Sequence, residues 1–310
     1  MQQKKQWKLL DLLNTTMQYL LEKGVDNPRL NAEELLGKAL DLNRVQLYVS
    51  FDRPISETEL DLYRSLIKRR SQHEPLQHIL GQTEFMGYPF IVNPNVLIPR
   101  PETEILVEEV LKTTQQTGQR NPSILDIGTG SGCIAISLAL QLPGSHILAI
   151  DISKSALDIA RQNCQLNNIS LNMFESDHTK TENTAPPITF AMYDILSPWP
   201  SSFQNRFDIM VSNPPYVTKT EMEQLQPEVR DFEPQGALTD FNDGLTYYKR
   251  IFELVSERES LQCKYLFLEM SGSQPDKIVS LARTYSFYKI DIIPDLNKIE
   301  RVLKIEVSNE

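Results

Sequence analysis

From about residue 121 to the end, the chain alternates short apolar runs with amphipathic ones. That alternation leaves few folds open: it predicts an α/β domain, a mostly parallel sheet covered by helices on both faces. The first run, Ser123-Ile124-Leu125-Asp126-Ile127, reads as a buried strand. It passes into Gly128-Thr129-Gly130-Ser131-Gly132 and then into a helical stretch over 133–142. The glycines permit a tight turn, and backbone N–H groups exposed at the helix start would hold a carboxylate or phosphate. Position 133 is Cys, so the G-x-G-x-x-G dinucleotide fingerprint is not met.

A second strand over 146–150 ends in Asp151, about 20 residues beyond the first glycine, where an acid accepts hydrogen bonds from ribose hydroxyls. Asp151 could instead cap the helix that follows, or do both. A nucleoside whose tail carries a carboxylate rather than a diphosphate fits these features. S-adenosylmethionine is such a molecule, and its sulfonium methyl is an electrophile. A further acid is expected near the base, and two strands compete to supply it. One, over 170–174, is followed by Asp177; the other, over 188–193, is followed by Asp194 and Ile195. The second is chosen because it leaves a short connection to the next strand, with Asp177 as the fallback.

That next strand, 207–211, runs into Ser212-Asn213-Pro214-Pro215-Tyr216. Two prolines in succession make a stiff turn with acceptors and no N–H donors. The Asn213 side-chain carbonyl and the Pro214 backbone carbonyl suit the two hydrogens of an –NH2 group, and Tyr216 adds a flat aromatic face. An amide or ring amino nitrogen is a poor nucleophile. Fixed acceptors orient it toward an electrophile and stabilise positive charge as it develops. An ordinary rigid turn after a strand would carry the same residues.

Upstream, residues 1–80 read as a small helical bundle for substrate docking. Leu9, Leu10, Leu13, Met17, Leu20 and Leu21 share a face of the first segment. Asn27-Pro28 reads as a cap and first helical position, with Leu30, Leu35, Leu36, Ala39 and Leu40 turned inward. Ser56 and Glu59 have capping-box spacing before Leu62, Leu66 and Ile67. Residues 81–100 read as a β-hairpin linker, and 101–310 as the catalytic domain.

A net charge of −10 argues against a protein that mainly tracks a phosphate backbone. Cys133, Cys164 and Cys263 are too scattered for a disulfide framework, and with the four histidines they form no ligand spacing, so no metal is expected. No run reaches 18 apolar residues and no secretory segment opens the chain; a cytoplasmic protein without membrane attachment is expected.

Together, Glu84-Phe85-Met86-Gly87, Leu97-Ile98-Pro99-Arg100-Pro101-Glu102-Thr103-Glu104, Leu125 through Gly132 and Ser212 through Tyr216 resemble the release factor glutamine methyltransferases. The likeness extends through Asp243-Gly244-Leu245 and Ile299-Glu300-Arg301-Val302. It implies a Rossmann-like class I methyltransferase sheet of seven strands. It also implies S-adenosylmethionine as cofactor, and N5-methylation of the glutamine in the Gly-Gly-Gln tip of class I peptide chain release factors.

The resemblance further implies that Gly128, Thr129, Gly130, Ser131 and Gly132 hold the methionine end, Asp151 the ribose, and Asp194 and Ile195 the adenine region. Asn213, Pro214, Pro215 and Tyr216 would hold the substrate amide, with Asn213, Pro214 and Tyr216 catalytic and Asn213 also beside the cofactor. Relative to the family pattern, 175–187 looks inserted. A monomer with no stable nucleic-acid binding is expected. The rival readings are a glutamine methyltransferase of a ribosomal protein and an adenine-N6 DNA methyltransferase.

Overall fold

The computed structural model describes residues 7–170, 187–257 and 261–307. Asp177 and all but the first residue of the strand expected before it lie outside the described residues. The chain divides into two compact units, one of residues 1–81 with 226–232, the other of 82–225 with 233–310. Among the described residues no helix is long and apolar enough to cross a membrane.

The first unit is built on helices Leu9–Glu22, Pro28–Leu40 and Glu57–Arg70, with short helices Arg44–Val49 and Leu76–Leu80 that sequence periodicity missed. Ser56 closes the expected capping box: its hydroxyl accepts from the Glu59 N–H, and its own N–H donates to Glu59 Oε2 at 2.9 Å. Asn27 behaves differently. Its backbone is left-handed (φ 49°) and its side chain caps nothing, so the helix start rests on Pro28. Leu9, Leu13, Leu20, Leu35, Leu36 and Tyr63 form the core, whereas Leu10, Leu21, Leu30 and Leu62, expected on the packed faces, are exposed. Segments this rich in leucine offer several apolar stripes at helical period, and the packing partner selects one. Glu33, almost wholly buried, is matched by Arg29, Arg44 and the Tyr48 hydroxyl, which hold its carboxyl below its ordinary value despite the opposing effect of burial.

The second unit opens with a hairpin, β1 (Gln82–Phe85) and β2 (Tyr88–Ile91), turned by Met86 and Gly87, both at positive φ. The expected linker over 81–100 is therefore shorter in strand content. It is also part of this unit's core, because Phe85 and Phe90 pack with Leu106, Val107 and Val110.

Seven strands follow: β3 (Ser123–Ile127), β4 (His146–Asp151), β5 (Ile188–Met192), β6 (Ile209–Ser212), β7 (Tyr265–Glu269), β8 (Lys289–Pro294) and β9 (Glu300–Glu306). They form one sheet in the order β5-β4-β3-β6-β7-β9-β8. The first five run parallel, and β9 is antiparallel to both neighbours. Side chains alternate between two cores, with Leu125, Met210, Leu266 and Leu268 on one face and Ile124, Val211 and Phe267 on the other. Helices on both faces complete the expected class I methyltransferase architecture.

The chain winds outward from β3 through β4 to β5, then returns to β3's other side for β6 and β7. The order reverses between β3 and β6, so a crevice opens beyond the carboxyl ends of these strands, where doubly wound sheets bind ligands.

Candidate active site

A cavity of about 300 Å3 occupies that crevice. Gly128 and Gly130 line it after β3, Asp151 at the end of β4, Asp194 and Ile195 after β5, and Asn213, Pro214 and Pro215 after β6. Four segments far apart in sequence thus meet because their strands are adjacent.

The glycine loop behaves differently from the sequence-based expectation. The N–H groups of Gly128 and Thr129 both donate to the Ile150 carbonyl, at 2.9 and 3.0 Å, and that of Gly132 donates to the Thr129 carbonyl at 2.8 Å. Gly130 N–H donates to Asp151 Oδ2 at 2.9 Å. These donors are therefore spent on the fold rather than held out for an anion. Thr129 and Ser131 are buried, and with Gly132 they stand outside the cavity lining. Gly132 has a packing reason instead: a Cβ there would meet Ile136 Cδ1 at 3.0 Å and Ala160 Cβ at 3.1 Å, on a backbone of φ +81°.

Asp151 lines the cavity but leaves the capping of the next helix to Ser153, whose hydroxyl accepts from the Ala156 N–H. Asp151 Oδ1 accepts from Ser153 N–H at 2.8 Å while Oδ2 holds Gly130, yet each carboxylate oxygen has a second lone pair for a ligand hydroxyl. Burial raises its pKa, and the N–H groups of Ser153, Gly130 and Ile152 oppose that rise. Asp194 Oδ1 accepts from Leu196 N–H at 2.9 Å, and Tyr193 N–H donates to the Asp151 carbonyl, which draws the β5 end to the β4 end.

Behind the loop, Asp126 is fully buried, with Oδ2 accepting from the Thr129 hydroxyl at 2.6 Å. Burial pushes its pKa from 3.8 to about 7; the Asp151 charge adds to the rise and the Thr129 hydroxyl opposes it. A folded-state value above the unfolded one gives a stability contribution that is complete below about pH 4 and lost as pH rises through about 7. Asp126→Asn should then raise Tm at about pH 8 by on the order of 2–4 °C, with little gain near pH 4. Thermal melts of both proteins at the two pH values check this; an equal difference at both would exclude titration of Asp126 as the cause.

The motif from Ile98 to Glu104 acquires separate physical roles. Pro101 starts helix Pro101–Thr117, Glu104 accepts from the Met86 N–H of the hairpin turn at 2.6 Å, and Arg100 pairs with buried Glu233 at 2.5 Å. Thr103 Oγ1 accepts from Asn213 Nδ2 at 3.2 Å. With its nitrogen so engaged, Asn213 keeps Oδ1 as the acceptor for the cavity.

Tyr216 does not line the cavity and packs against the sheet core. Its carbonyl is backed by Gly244, where a Cβ would lie 2.3 Å from it. Asp240 holds that turn by accepting from the N–H groups of Asn242, Gly244 and Thr246.

Sequence reasoning missed several walls of the cavity: Asn95, Val96 and Leu97 before the Ile98 motif, and Tyr247 and Ile251 in helix Thr246–Ser256. Tyr247 and Ile251 stand four apart on one helix face, which was a usable signal. Pro234, Gly236 and Ala237 complete the rim. Apolar walls, an acid with spare acceptor capacity and a second acid beside it fit a nucleoside with an elongated tail.

A family model described as PrmC N-terminal domain matches residues 11–81, and one described as ribosomal protein L11 methyltransferase (PrmA) matches residues 102–197. The chain is 38% identical over 297 residues to the release factor glutamine methyltransferase of Geobacter sulfurreducens, covering 96% of each chain. It is 39% identical over 312 residues to the protein of the same description from Chlorobaculum tepidum, covering 98% of each. Among solved structures it is similar to the hMettl16 catalytic domain in complex with MAT2A 3′UTR hairpin 6, with TM-score 0.53 and 16% identity over 76% of this chain and 82% of that one. At that identity the likeness is one of fold.

Proposed function

The chain belongs to the release factor glutamine methyltransferase family, and on that premise we propose that it methylates the side-chain amide nitrogen, N5, of the glutamine in the Gly-Gly-Gln motif of class I peptide chain release factors. The reaction would take place in the cytoplasm, support translation termination and be carried out by a monomer. The enzyme is an S-adenosylmethionine-dependent protein-glutamine methyltransferase. The observation that carries the finer reading is Asn213, set at the carboxyl end of β6 with Nδ2 tied to Thr103 and Oδ1 left for the cavity.

In this reading Asp151 holds the cofactor's ribose, Asp194 and Ile195 flank its base, and Gly128 and Gly130 line the space for its tail. Bound there, S-adenosylmethionine supplies an electrophilic methyl. Asn213 Oδ1 and the Pro214 carbonyl accept the two hydrogens of the glutamine amide, fix its plane and stabilise the positive charge that grows on nitrogen. No strong base is needed beforehand, because the nitrogen proton becomes acidic only as charge develops. Pro214 and Pro215 bring no N–H that would compete for the amide. Tyr216 serves by holding the turn through its packed ring and carbonyl.

Asp151→Asn should weaken S-adenosylmethionine binding by about 10-fold or more, because an NH2 group would then face one of two backbone N–H donors in a partly buried site. Calorimetric titration measures this, and unchanged affinity would remove Asp151 from the ribose role.

The decisive experiment is mass spectrometry of the Gly-Gly-Gln peptide from a purified release factor after incubation with the protein and S-adenosylmethionine. A one-methyl mass gain on that glutamine is expected. No gain with cofactor binding intact would redirect the search to ribosomal proteins. The match to the ribosomal protein L11 methyltransferase model ends at residue 197, before Asn213, and so does not reach the proposed substrate loop. A DNA substrate is disfavoured by the net charge of −10.

A further inference from the structure

We propose that Arg250 is a positioning residue that sets the orientation of the Asp194 carboxylate and, through it, the selection of an adenine base; this rests on the placement of the cofactor's base beside Asp194 and Ile195 proposed above. Arg250 stands in helix Thr246–Ser256, which lends Tyr247 and Ile251 to the cavity wall. Its Nε donates to the Ile195 carbonyl at 3.0 Å and its Nη2 to the Ser197 carbonyl at 2.7 Å. Among the described residues its hydrogen bonds go to these two main-chain oxygens and to no acid.

The hold reaches the cavity through one peptide plane. In a trans peptide the carbonyl and the N–H point in opposite directions. The Ile195 carbonyl and the Leu196 N–H share such a plane, so Arg250 grips one side while Leu196 N–H donates to Asp194 Oδ1 at 2.9 Å on the other. The far end of the turn is closed by Ser197 N–H, which donates to the Asp194 carbonyl at 2.9 Å, and by the Tyr193 hydroxyl, which donates to the Ser197 carbonyl at 2.9 Å beside Arg250. With Oδ1 fixed, Asp194 keeps Oδ2 as an acceptor for the cavity. The Ile195 N–H has no hydrogen-bond partner among the described residues, so an acceptor and a donor stand on adjacent residues that both line the cavity. Adenine presents an amino donor next to a ring-nitrogen acceptor on its pairing edge; hypoxanthine presents the reverse, a carbonyl next to a ring N–H.

Stability alone does not call for this side chain. Exposed Leu196 brings the turn to the surface, where water satisfies main-chain oxygens. A guanidinium adds what water does not: two donors on one rigid edge, a fork that a flexible ammonium also lacks. Two anchors two residues apart fix the tilt of the peptide planes between them. If that tilt were lost, Leu196 N–H would draw away from Oδ1, the carboxylate would turn freely, and the wall would no longer distinguish a donor from an acceptor on the base.

The test compares wild type with Arg250→Met, which keeps an apolar stem without donors, and Arg250→Lys, which keeps the charge without the fork. Each is titrated calorimetrically with S-adenosylhomocysteine, with the same molecule carrying hypoxanthine in place of adenine, and with its 2′-deoxy form. Wild type should prefer adenine by about 100-fold or more, because the wrong base leaves buried polar groups unpaired. Arg250→Met should cut that preference by about 10-fold and Arg250→Lys by nearly as much, while the preference for the 2′-hydroxyl, which reports on Asp151, stays at its wild-type value. In the ligand-free protein, hydrogen exchange at the Leu196 amide should quicken by about 10-fold or more in both variants. A base preference equal in all three proteins overturns the proposal, as does Leu196 exchange that neither variant changes. A 2′-hydroxyl preference that falls in step with the base preference also overturns it, since that is a general loosening of the site. If Arg250→Met does not fold, Arg250→Lys decides by the same three readings. A wild type with no base preference fails the placement of the base instead, and Leu196 exchange still decides whether Arg250 holds the turn.

Discussion

Asn213→Ala should lower kcat on the glutamine substrate by roughly 10²–10³-fold while leaving S-adenosylmethionine affinity within a few-fold of wild type. The asymmetry follows from position. Asn213 sits where β6 ends, and its Oδ1 is the side-chain acceptor facing the cavity there once Thr103 has taken Nδ2. The cofactor's proposed contacts come from other strand ends, at Gly128, Asp151 and Asp194. Truncation to alanine removes the acceptor that would strengthen as charge grows on the substrate nitrogen, a loss felt in the transition state more than in the ground state. Asn213→Asp should also damage turnover more than cofactor binding, since a carboxylate cannot donate to Thr103 and keep its orientation. Steady-state kinetics beside calorimetric cofactor titration separates the two effects. Near-normal turnover in either variant would sink the central role of Asn213.

Gly244→Ala should be nearly as damaging although residue 244 does not line the cavity. Its backbone has φ +79°, and the added Cβ would fall 2.3 Å from the Tyr216 carbonyl oxygen and 3.1 Å from the carbonyl carbon. Both are backbone atoms of the turn that carries Asn213 and Pro214, so the clash cannot be relieved by a side-chain rotation. The turn must move or the Asp240 clasp on Asn242, Gly244 and Thr246 must open. A shift of the order of 1 Å in a positioned group costs about 10²-fold in rate. We expect kcat to fall by that order, with a Tm loss of several degrees, roughly 2–4 °C per kcal/mol. Equal kcat in wild type and variant, measured below the melting transition, would show that the Gly244 contact does not set the substrate turn.

Much of the catalytic unit was legible because its signals are local. The strand at Ser123–Ile127, the glycine turn after it, the acid ending β4 and the proline-stiffened turn after β6 each follow from neighbours within a few residues. The Ser56 capping box is of the same kind. Misreadings arose where local chemistry offered equivalent choices. Leu10, Leu30 and Leu62 lie on apolar stripes as plausible as those that became core. Asn27 is a good cap by type, but its left-handed backbone turns the side chain away from the duty. The glycine-loop N–H groups look free for a ligand in the sequence, yet most are taken by Ile150, Thr129 and Asp151, partners that a linear reading does not weigh.

By itself, the sequence determined the alternation of the main strands and helices, the tight turn at Gly128 through Gly132, the acid at 151 and the donor-free turn at 213–215. These depend on φ restrictions, hydrophobic period and side-chain chemistry over short spans. Only the tertiary structure decided that Thr103 meets Asn213, that Arg100 meets Glu233, that Gly244 lies against Tyr216, and that Asn95 to Leu97 and Tyr247 become cavity walls. These pairings join residues brought together by the reversal of strand order between β3 and β6 and by the packing of helices on the sheet. Which distant groups face each other is set by burying both apolar faces of the sheet at once, a property of the whole domain rather than of any segment.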